Sequence, residues 1–302
     1  MSMRKGWILA LVAWLVLPAA SIAQSIYVSA MRGQAGASNV MSGLYSVNLA
    51  NGAATFVTPL RTSDGKPIAI TGLAVDPASQ VFYGITSNLS PAFPQSLVTL
   101  EPQSGRVNVI GRLDQPGTDI VFDRQGRLFI WLPRTRQVGL LDLTSGHVNV
   151  LGKAGPPDAF GGLAVDGEGR LFVTPSGAYG TLDMVDLNTG ALVTGPQIKG
   201  APFPGAITAM TFTPSGLLLA INSNVGSPAA AKLVTINTLT GIVAEIGNLP
   251  DDSDAITYVP PAHGMADILS TMSGRTLALF ALIAGLVLAV GGMFAVRWIR
   301  AR

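Results

Sequence analysis

The sequence predicts an all-β fold, a five-bladed β-propeller followed by one C-terminal transmembrane helix, and three observations predict it. A turn ending in glycine recurs five times, at Asn51-Gly52, Ser104-Gly105, Ser145-Gly146, Thr189-Gly190 and Thr240-Gly241. These glycines lie 53, 41, 44 and 51 residues apart, a mean of about 47, which is a period of propellers and solenoids. Between the turns, β-branched and apolar residues alternate over short runs bounded by Gly, Pro, Asn and Asp, the pattern of half-buried strands. Finally, Thr276 to Val296 contains no charged residue, and at 1.5 Å per helical residue it is about 30 Å long, enough to cross a bilayer core.

At the N-terminus, residues 1–23 place Arg4 and Lys5 before an apolar stretch from Trp7 to Leu17, then Pro18 and the small residues Ser21 and Ala23. This is the layout of a secretory signal peptide, with cleavage expected between Ala23 and Gln24.

The propeller is expected over residues 25–261, each repeat resolving into four strands, A to D. The A runs are Thr71 to Asp76, Thr118 to Asp123, Gly161 to Asp166, Thr208 to Thr213 and Ala255 to Pro260. The B runs are Ile26 to Ala30, Val81 to Ser87, Leu128 to Leu132, Leu171 to Pro175 and Leu217 to Asn222. Runs C and D flank the glycine turn, as in Leu140 to Leu143 and Val148 to Leu151. Read from the start, the order is B, C, D, then four complete sets, then a lone A. A ring closed by pairing that last A strand with the first B strand satisfies edge hydrogen bonds that would otherwise template aggregation. An open solenoid has no reason to split a repeat between its two ends.

After a linker at 262–275 and the helix at 276–296, Arg297, Arg300 and Arg302 place the tail at 297–302 on the cytoplasmic side and the propeller outside it. Without these ends, residues 24–275 hold 14 basic and 17 acidic residues. Nothing basic is left to grip phosphates, which disfavours nucleic acid as a partner. The absence of Cys removes disulfides, thiol nucleophiles and Cys-ligated metals, and the two histidines, His147 in a C–D turn and His263 in the linker, have no evident partner. No cofactor or metal is expected.

The repeats resemble those of secreted bacterial β-propellers whose units read Leu-Tyr-x-Ile/Val-Asp-x-x-Thr-Gly and Gly-Leu-Ala-Val-Asp-Pro. The residues that carry the resemblance are Leu44-Tyr45-Ser46-Val47-Asn48 with Gly52, and Gly72-Leu73-Ala74-Val75-Asp76-Pro77 with Val81-Phe82-Tyr83. The segment Leu269-Ser270-Thr271-Met272-Ser273-Gly274-Arg275 before the apolar helix is similar to the Ile-Pro-Thr-Leu type of bacterial C-terminal sorting tail, matching at Thr271 and Ser273. The repeat resemblance implies the propeller fold, and the tail resemblance implies a Gram-negative-type export route with processing near the helix.

Because A to D are antiparallel, the short A–B and C–D turns share one face of the ring and the longer B–C and D–A loops share the other. Loops gathered on one side of a rigid scaffold are where function usually resides. These loops carry Asp64, Asp114, Asp158, Asp251, Asp252 and Asp254, and the aromatic residues Phe93, Tyr179 and Phe203, which could stack on a sugar or grip a partner. Asp119 stands within an A strand where the other repeats are read as Gly72, Gly162, Ala209 and Ile256, as a cation site or carboxylate catalyst would require. Asp76, Asp123 and Asp166 recur at the ends of A strands and are expected to bond turn amides. The expectation is a non-enzymatic binding or interaction module at the cell envelope, taking a protein or glycan on its long-loop face. The alternative is a glycan-active enzyme with Asp119 and loop acids as its carboxylate pair.

Overall fold

The computed structural model describes residues 25–32, 41–175 and 180–259, and among these the chain forms strands and turns only. The strands make five sheets arranged in sequence around a ring. The first blade uses β1 (Ser25–Arg32), β2 (Met41–Val47) and β3 (Ala54–Pro59). A short β4 (Arg61–Thr62) leads to the second blade, β5 (Ile70–Val75), β6 (Phe82–Thr86), β7 (Ser96–Leu100) and β8 (Arg106–Arg112). The third is β9 (Asp119–Phe122), β10 (Leu128–Leu132), β11 (Gln137–Leu141) and β12 (Val148–Leu151). The fourth is β13 (Leu163–Val165), β14 (Leu171–Val173), β15 (Asp183–Val185) and β16 (Leu192–Val193). The fifth is β17 (Ala206–Phe212), β18 (Leu218–Ser223), β19 (Ala231–Ile236) and β20 (Val243–Leu249), after which β21 (Ser253–Val259) returns to the first blade.

The ring closes as the strand count requires. β21 pairs antiparallel with β1, with Ile26 opposite Tyr258 and Val28 opposite Ile256. Two details differ from the sequence reading. β21 begins at Ser253, so Asp254 belongs to the strand and not to the loop before it. The segment 61–70, expected as a loop, contains β4, which runs parallel to β8 as a fifth strand on the outside of the second blade. The expected signal peptide, linker with His263, transmembrane helix and basic tail lie outside the described residues. Among the described residues no helix is long and apolar enough to cross a membrane.

The core is divided into five seams, each filled by side chains from two consecutive blades. Between the third and fourth blades, for example, Phe129, Trp131 and Val138 meet Leu163, Leu171 and Val173. Between the fifth and the first, Leu219, Ile221 and Leu233 meet Ile26, Val28 and Ile256. The bulky B-strand residues Trp131, Phe129, Phe172 and Phe82 are all buried here, as sheet-on-sheet packing demands.

The outer ends of the seams repeat one contact. In each C–D turn the glycine N–H donates to the carbonyl four residues back, as Gly190 does to Asp186 at 2.7 Å and Gly52 to Asn48 at 2.7 Å. The five glycines have φ between +70 and +79°, a region in which L side chains are strained. Each also presses on the end of the preceding blade's D strand: Gly52 on Gly247, Gly105 on Pro59, Gly146 on Gly111, Gly190 on Gly152 and Gly241 on Gln197. At two seams backbone pairing is added, Arg61 N–H to the Gly105 carbonyl at 2.9 Å and Lys199 N–H to the Gly241 carbonyl at 3.0 Å.

Asp123 and Asp166 behave as their repetition predicts. Asp123 accepts from the amides of Gln125 and Arg127 at 2.9 and 2.8 Å and from Arg127 Nε at 2.7 Å. Asp166 does the same with Glu168 and Arg170.

Comparing two glycines isolates the seam contact from the backbone strain. A Cβ on Gly190 would fall 2.3 Å from Gly152 N, whereas one on Gly169, at φ +81°, would meet nothing within 4 Å. Gly169→Ala is expected to cost about 1–2 kcal/mol from its left-handed backbone. Gly190→Ala is expected to cost about 2–4 kcal/mol, because displacement of the neighbouring blade is added. Urea denaturation of both variants checks this; equal losses would mean that the seam contact carries no stability.

Candidate functional site

The axis of the ring is lined by the starts of the five A strands. One level holds Gly72, Asp119, Gly162, Ala209 and Ala255, so the fifth counterpart of Asp119 is Ala255 and not Ile256. The pairings of the A with the B strands set this register, with Phe122 opposite Leu128 and Tyr258 opposite Ile26. Four of these residues are glycine or alanine, and they leave room for the single carboxylate. Even a Cβ on Gly72 would come 3.0 Å from Asp119 Cα.

Asp119 is 0% exposed. Its Oδ1 accepts from Ile120 N at 2.9 Å, and its Oδ2 accepts from Leu163 N at 2.8 Å and Met210 N at 3.1 Å. One side chain therefore ties together the inner strands of the third, fourth and fifth blades. Burial pushes its carboxyl well above the ordinary value, against the pull of the three amides. Both oxygens are occupied by backbone, and no surface reaches them.

The next level, toward the long-loop face, holds Thr71, Thr118, Gly161, Thr208 and Asp254. Thr71 Oγ1 donates to Asp254 Oδ2 at 2.6 Å, and Thr118 Oγ1 donates to the Gly161 carbonyl at 3.2 Å. Desolvation raises the Asp254 carboxyl to about 6, although the hydroxyls of Thr71 and Thr208 pull it down, and the Asp252 charge adds to the rise.

Beside this threonine ring, on the long-loop face, lies a hollow of about 220 Å³ between the second and third blades. Ser87, Asn88 and Gln95 from the β6–β7 loop line one side, and Pro133 and Arg134 from the β10–β11 loop another. Asp158 and Ala159 complete it with Pro116 to Thr118, while Thr71 and Thr118 join it to the axis. Its walls are fixed by local hydrogen bonds. Thr86 Oγ1 donates to the Phe93 carbonyl at 2.6 Å and accepts from Ser96 N at 2.8 Å, and Asp158 N donates to the Pro133 carbonyl at 2.8 Å. Phe93 and Gln95 are held at φ +47° and +55°, strained positions of the sort that cluster at ligand sites.

The expected site residues are thus dispersed. Asp158 lines the hollow, Asp254 stands in the threonine ring and Asp119 fills the axis beneath it. Asp64 is on the turn after β4 at the outer edge of the second blade. There Lys66 at 2.8 Å and the Thr62 hydroxyl hold its carboxyl at about 2. Asp114 sits in an outer seam, accepting from Val148 N at 2.9 Å and lying 2.5 Å from Nδ1 of His147. His147 therefore has a partner that the sequence did not reveal. The Phe203 backbone is pinned by Asn222 at 2.8 and 3.2 Å, and its ring lies 5.7 Å beneath the Lys232 ammonium. Asp252 accepts from Ala229 N at 2.9 Å, Asp251 is half-buried, and Tyr179 lies outside the described residues. The sequence reading missed Gln95 and Arg134 as residues that line the hollow; Gln95 ends a long loop, whereas Arg134 lies in the four-residue turn between β10 and β11, which carried no signal. Among the described residues no cluster of three His, Asp or Glu side chains could hold a metal ion.

No family model matches the chain, and no curated protein does. Solved structures do. A chain in the crystal structure of a nidogen/laminin complex is similar at 14% identity and a TM-score of 0.50, over 78% of this chain and 98% of that one. A protein of unknown function from Bacteroides caccae is similar at 12% identity and a TM-score of 0.48, over 79% of this chain and 100% of that one. A structural genomics protein of unknown function from Bacteroides thetaiotaomicron aligns at 16% identity and a TM-score of 0.46, over 65% of this chain and 53% of that one. At such identities the likeness to the nidogen/laminin chain concerns the fold alone.

Two outcomes follow from the axis. Asp119→Ala leaves three buried amides without an acceptor, at about 1–3 kcal/mol each, so a stability loss of about 3–5 kcal/mol is expected in denaturant titration; an unchanged midpoint would separate Asp119 from the architecture. For Asp254 the folded protein holds the proton more tightly than the unfolded chain, whose carboxyl lies near 3.8. Its contribution is therefore full below about pH 4 and lost as the pH rises toward about 6. The denaturation midpoint of Asp254→Asn is expected to fall less over that interval than that of the parent protein.

Proposed function

We propose that this protein is a non-enzymatic binding module that engages its ligand through the hollow at the mouth of the axis on the long-loop face. The observation that carries this reading is the hollow itself, a concavity lined by polar side chains from four loops and braced by the closed ring. A propeller scaffold suits such a role, and a structural neighbour of the same fold is part of a nidogen/laminin complex. The glycan-active enzyme is less well supported, because Asp119, its central acid, is sealed and bonded to three backbone amides and so cannot meet a substrate. Export and anchoring belong to the same proposal. Their support is the signal-like start at 1–23, the apolar stretch at 276–296 and the arginines that follow it. On this reading the module works at the bacterial cell envelope, tethered by its C-terminal helix.

Site-specific photo-crosslinking in cells tests it. A crosslinker at Asn88 or Asp158 is expected to capture a defined partner molecule, and one at Asn51 or Ser104, in the turns of the opposite face, is not. Capture from the opposite face alone would overturn the assignment.

A further inference from the structure

Three of the five A strands carry a β-bulge at one level of the axis. In β5, Ile70 pairs with Thr86 and Gly72 with Ile85, which leaves Thr71 as the extra residue. In β17, Ile207 pairs with Asn222 and Ala209 with Ile221, which leaves Thr208. In β21, Ser253 pairs with Ala30 and Ala255 with Ser29, which leaves Asp254. Bulges of this kind re-aim a side chain, and they gather beside functional sites. Here they bring two hydroxyls from the second and fifth blades to the carboxylate of the first, which lies between them.

The hydrogen bonds of this trio are incomplete. Thr71 Oγ1 donates to Asp254 Oδ2 alone, so Oδ1 is left for another partner. Thr208 is 6% exposed, and among the described residues its Oγ1 has no hydrogen-bond partner. It faces the Asp254 carboxyl closely enough to pull its pKa down, yet makes no well-formed bond with it. A hydroxyl buried without a partner is costly, so a ligand that supplies one is favoured. The other two members of the level, Thr118 and Gly161, are already bonded to each other.

The donors are oxygens, with neither nitrogen nor sulfur among them, which is the preference of a hard cation. The groups that act on the Asp254 carboxyl are two hydroxyls and the Asp252 carboxylate, none of them cationic. Two acidic groups favour a divalent ion over a monovalent one. Magnesium demands near-octahedral geometry, whereas calcium accepts the irregular angles that three separate bulges impose. We propose that the mouth of the axis binds a calcium ion through Asp254 Oδ1 and the hydroxyls of Thr208 and Thr71, with water in the remaining positions. Thr71 and Thr118 also line the hollow, so the ion has a path from solvent. The inference goes beyond the binding-module reading and does not need it, since crosslinking tests the hollow and calcium tests the axis.

The test is calorimetric titration of the full chain in detergent at neutral pH with calcium chloride and, at matched ionic strength, with magnesium and sodium chlorides. Melting is followed with and without calcium. One calcium ion is expected per chain, with a Kd of about 0.1–1 mM, tighter than magnesium or sodium. Calcium is expected to raise the melting temperature, because the site exists only in the closed ring. Thr208→Val keeps the shape and removes a hydroxyl that satisfies nothing, so melting without calcium is expected to be unchanged while calcium binding weakens about ten-fold. Asp254→Asn removes the charge, and calcium binding is expected to be lost. The proposal is overturned if calcium neither binds nor raises the melting temperature. It is equally overturned if magnesium or sodium binds as tightly, or if either variant binds calcium as the parent does, which would put the ion elsewhere.

Discussion

The ladder between the first strand and the last holds this architecture together. β21 completes a blade whose other three strands come from the far end of the described chain, and their antiparallel register makes the fifth seam equivalent to the other four. Without that pairing, β1 and β17 would each lose a neighbour, and the apolar surfaces of Ile26, Val28, Leu219 and Ile221 would face water. Because each of these side chains is buried against the adjoining blade, the first and fifth blades depend on each other directly. The ring is then a closed cycle of seams, in which weakness at any one is transmitted to both sides.

Within that cycle the inner and outer radii meet different demands. At the outside, sheets must approach until turn meets strand, and the sequence answers with glycine in every C–D turn and often with a second glycine opposite it, at 111, 152 and 247. At the inside, five strands converge on a space too narrow for five side chains. The solution is one carboxylate among four residues with little or no side chain. Its charge is unfavourable in so dry a place, and three backbone amides from three blades offset only part of that cost, so the carboxyl holds its proton well above the ordinary value. Asp119 is thus a polar equivalent of a core plug, joining strands that no sheet hydrogen bond connects.

Much of this was legible in the sequence because repetition averages out local ambiguity. One turn ending in glycine means little, but five in register give the blade count, and a missing strand at one end with a spare at the other gives the closure. The turn aspartates were legible for the same reason. What escaped detection is what does not repeat. The last A strand lacks the Gly-Leu-Ala-Val pattern of the second and fourth blades, and its register was read one residue late. Ile256 then took the place of Ala255, and Asp254 was left in a loop instead of beside Thr71. β4 is two residues long and has no pattern of its own; it forms only because Gly105 of the next blade presents a carbonyl. The pairing of Asp114 with His147 joins loops 33 residues apart in chain position across a seam. Gln95 and Arg134 are ordinary surface residues until folding places them around one concavity.

The closing pair also fixes where the chain enters and leaves the ring. Val259 stands opposite Ser25, and β21 runs from the long-loop side toward the side of the short A–B turns. Entry and exit are therefore neighbours on the face opposite the hollow. Whatever precedes Ser25 or follows Val259 attaches at the back of the disc, so the loops that line the hollow can change in length and composition without passing over the attachment point. The hollow and the two ends of the described chain thus occupy opposite faces of the domain, and the loops on one face can change without disturbing the other.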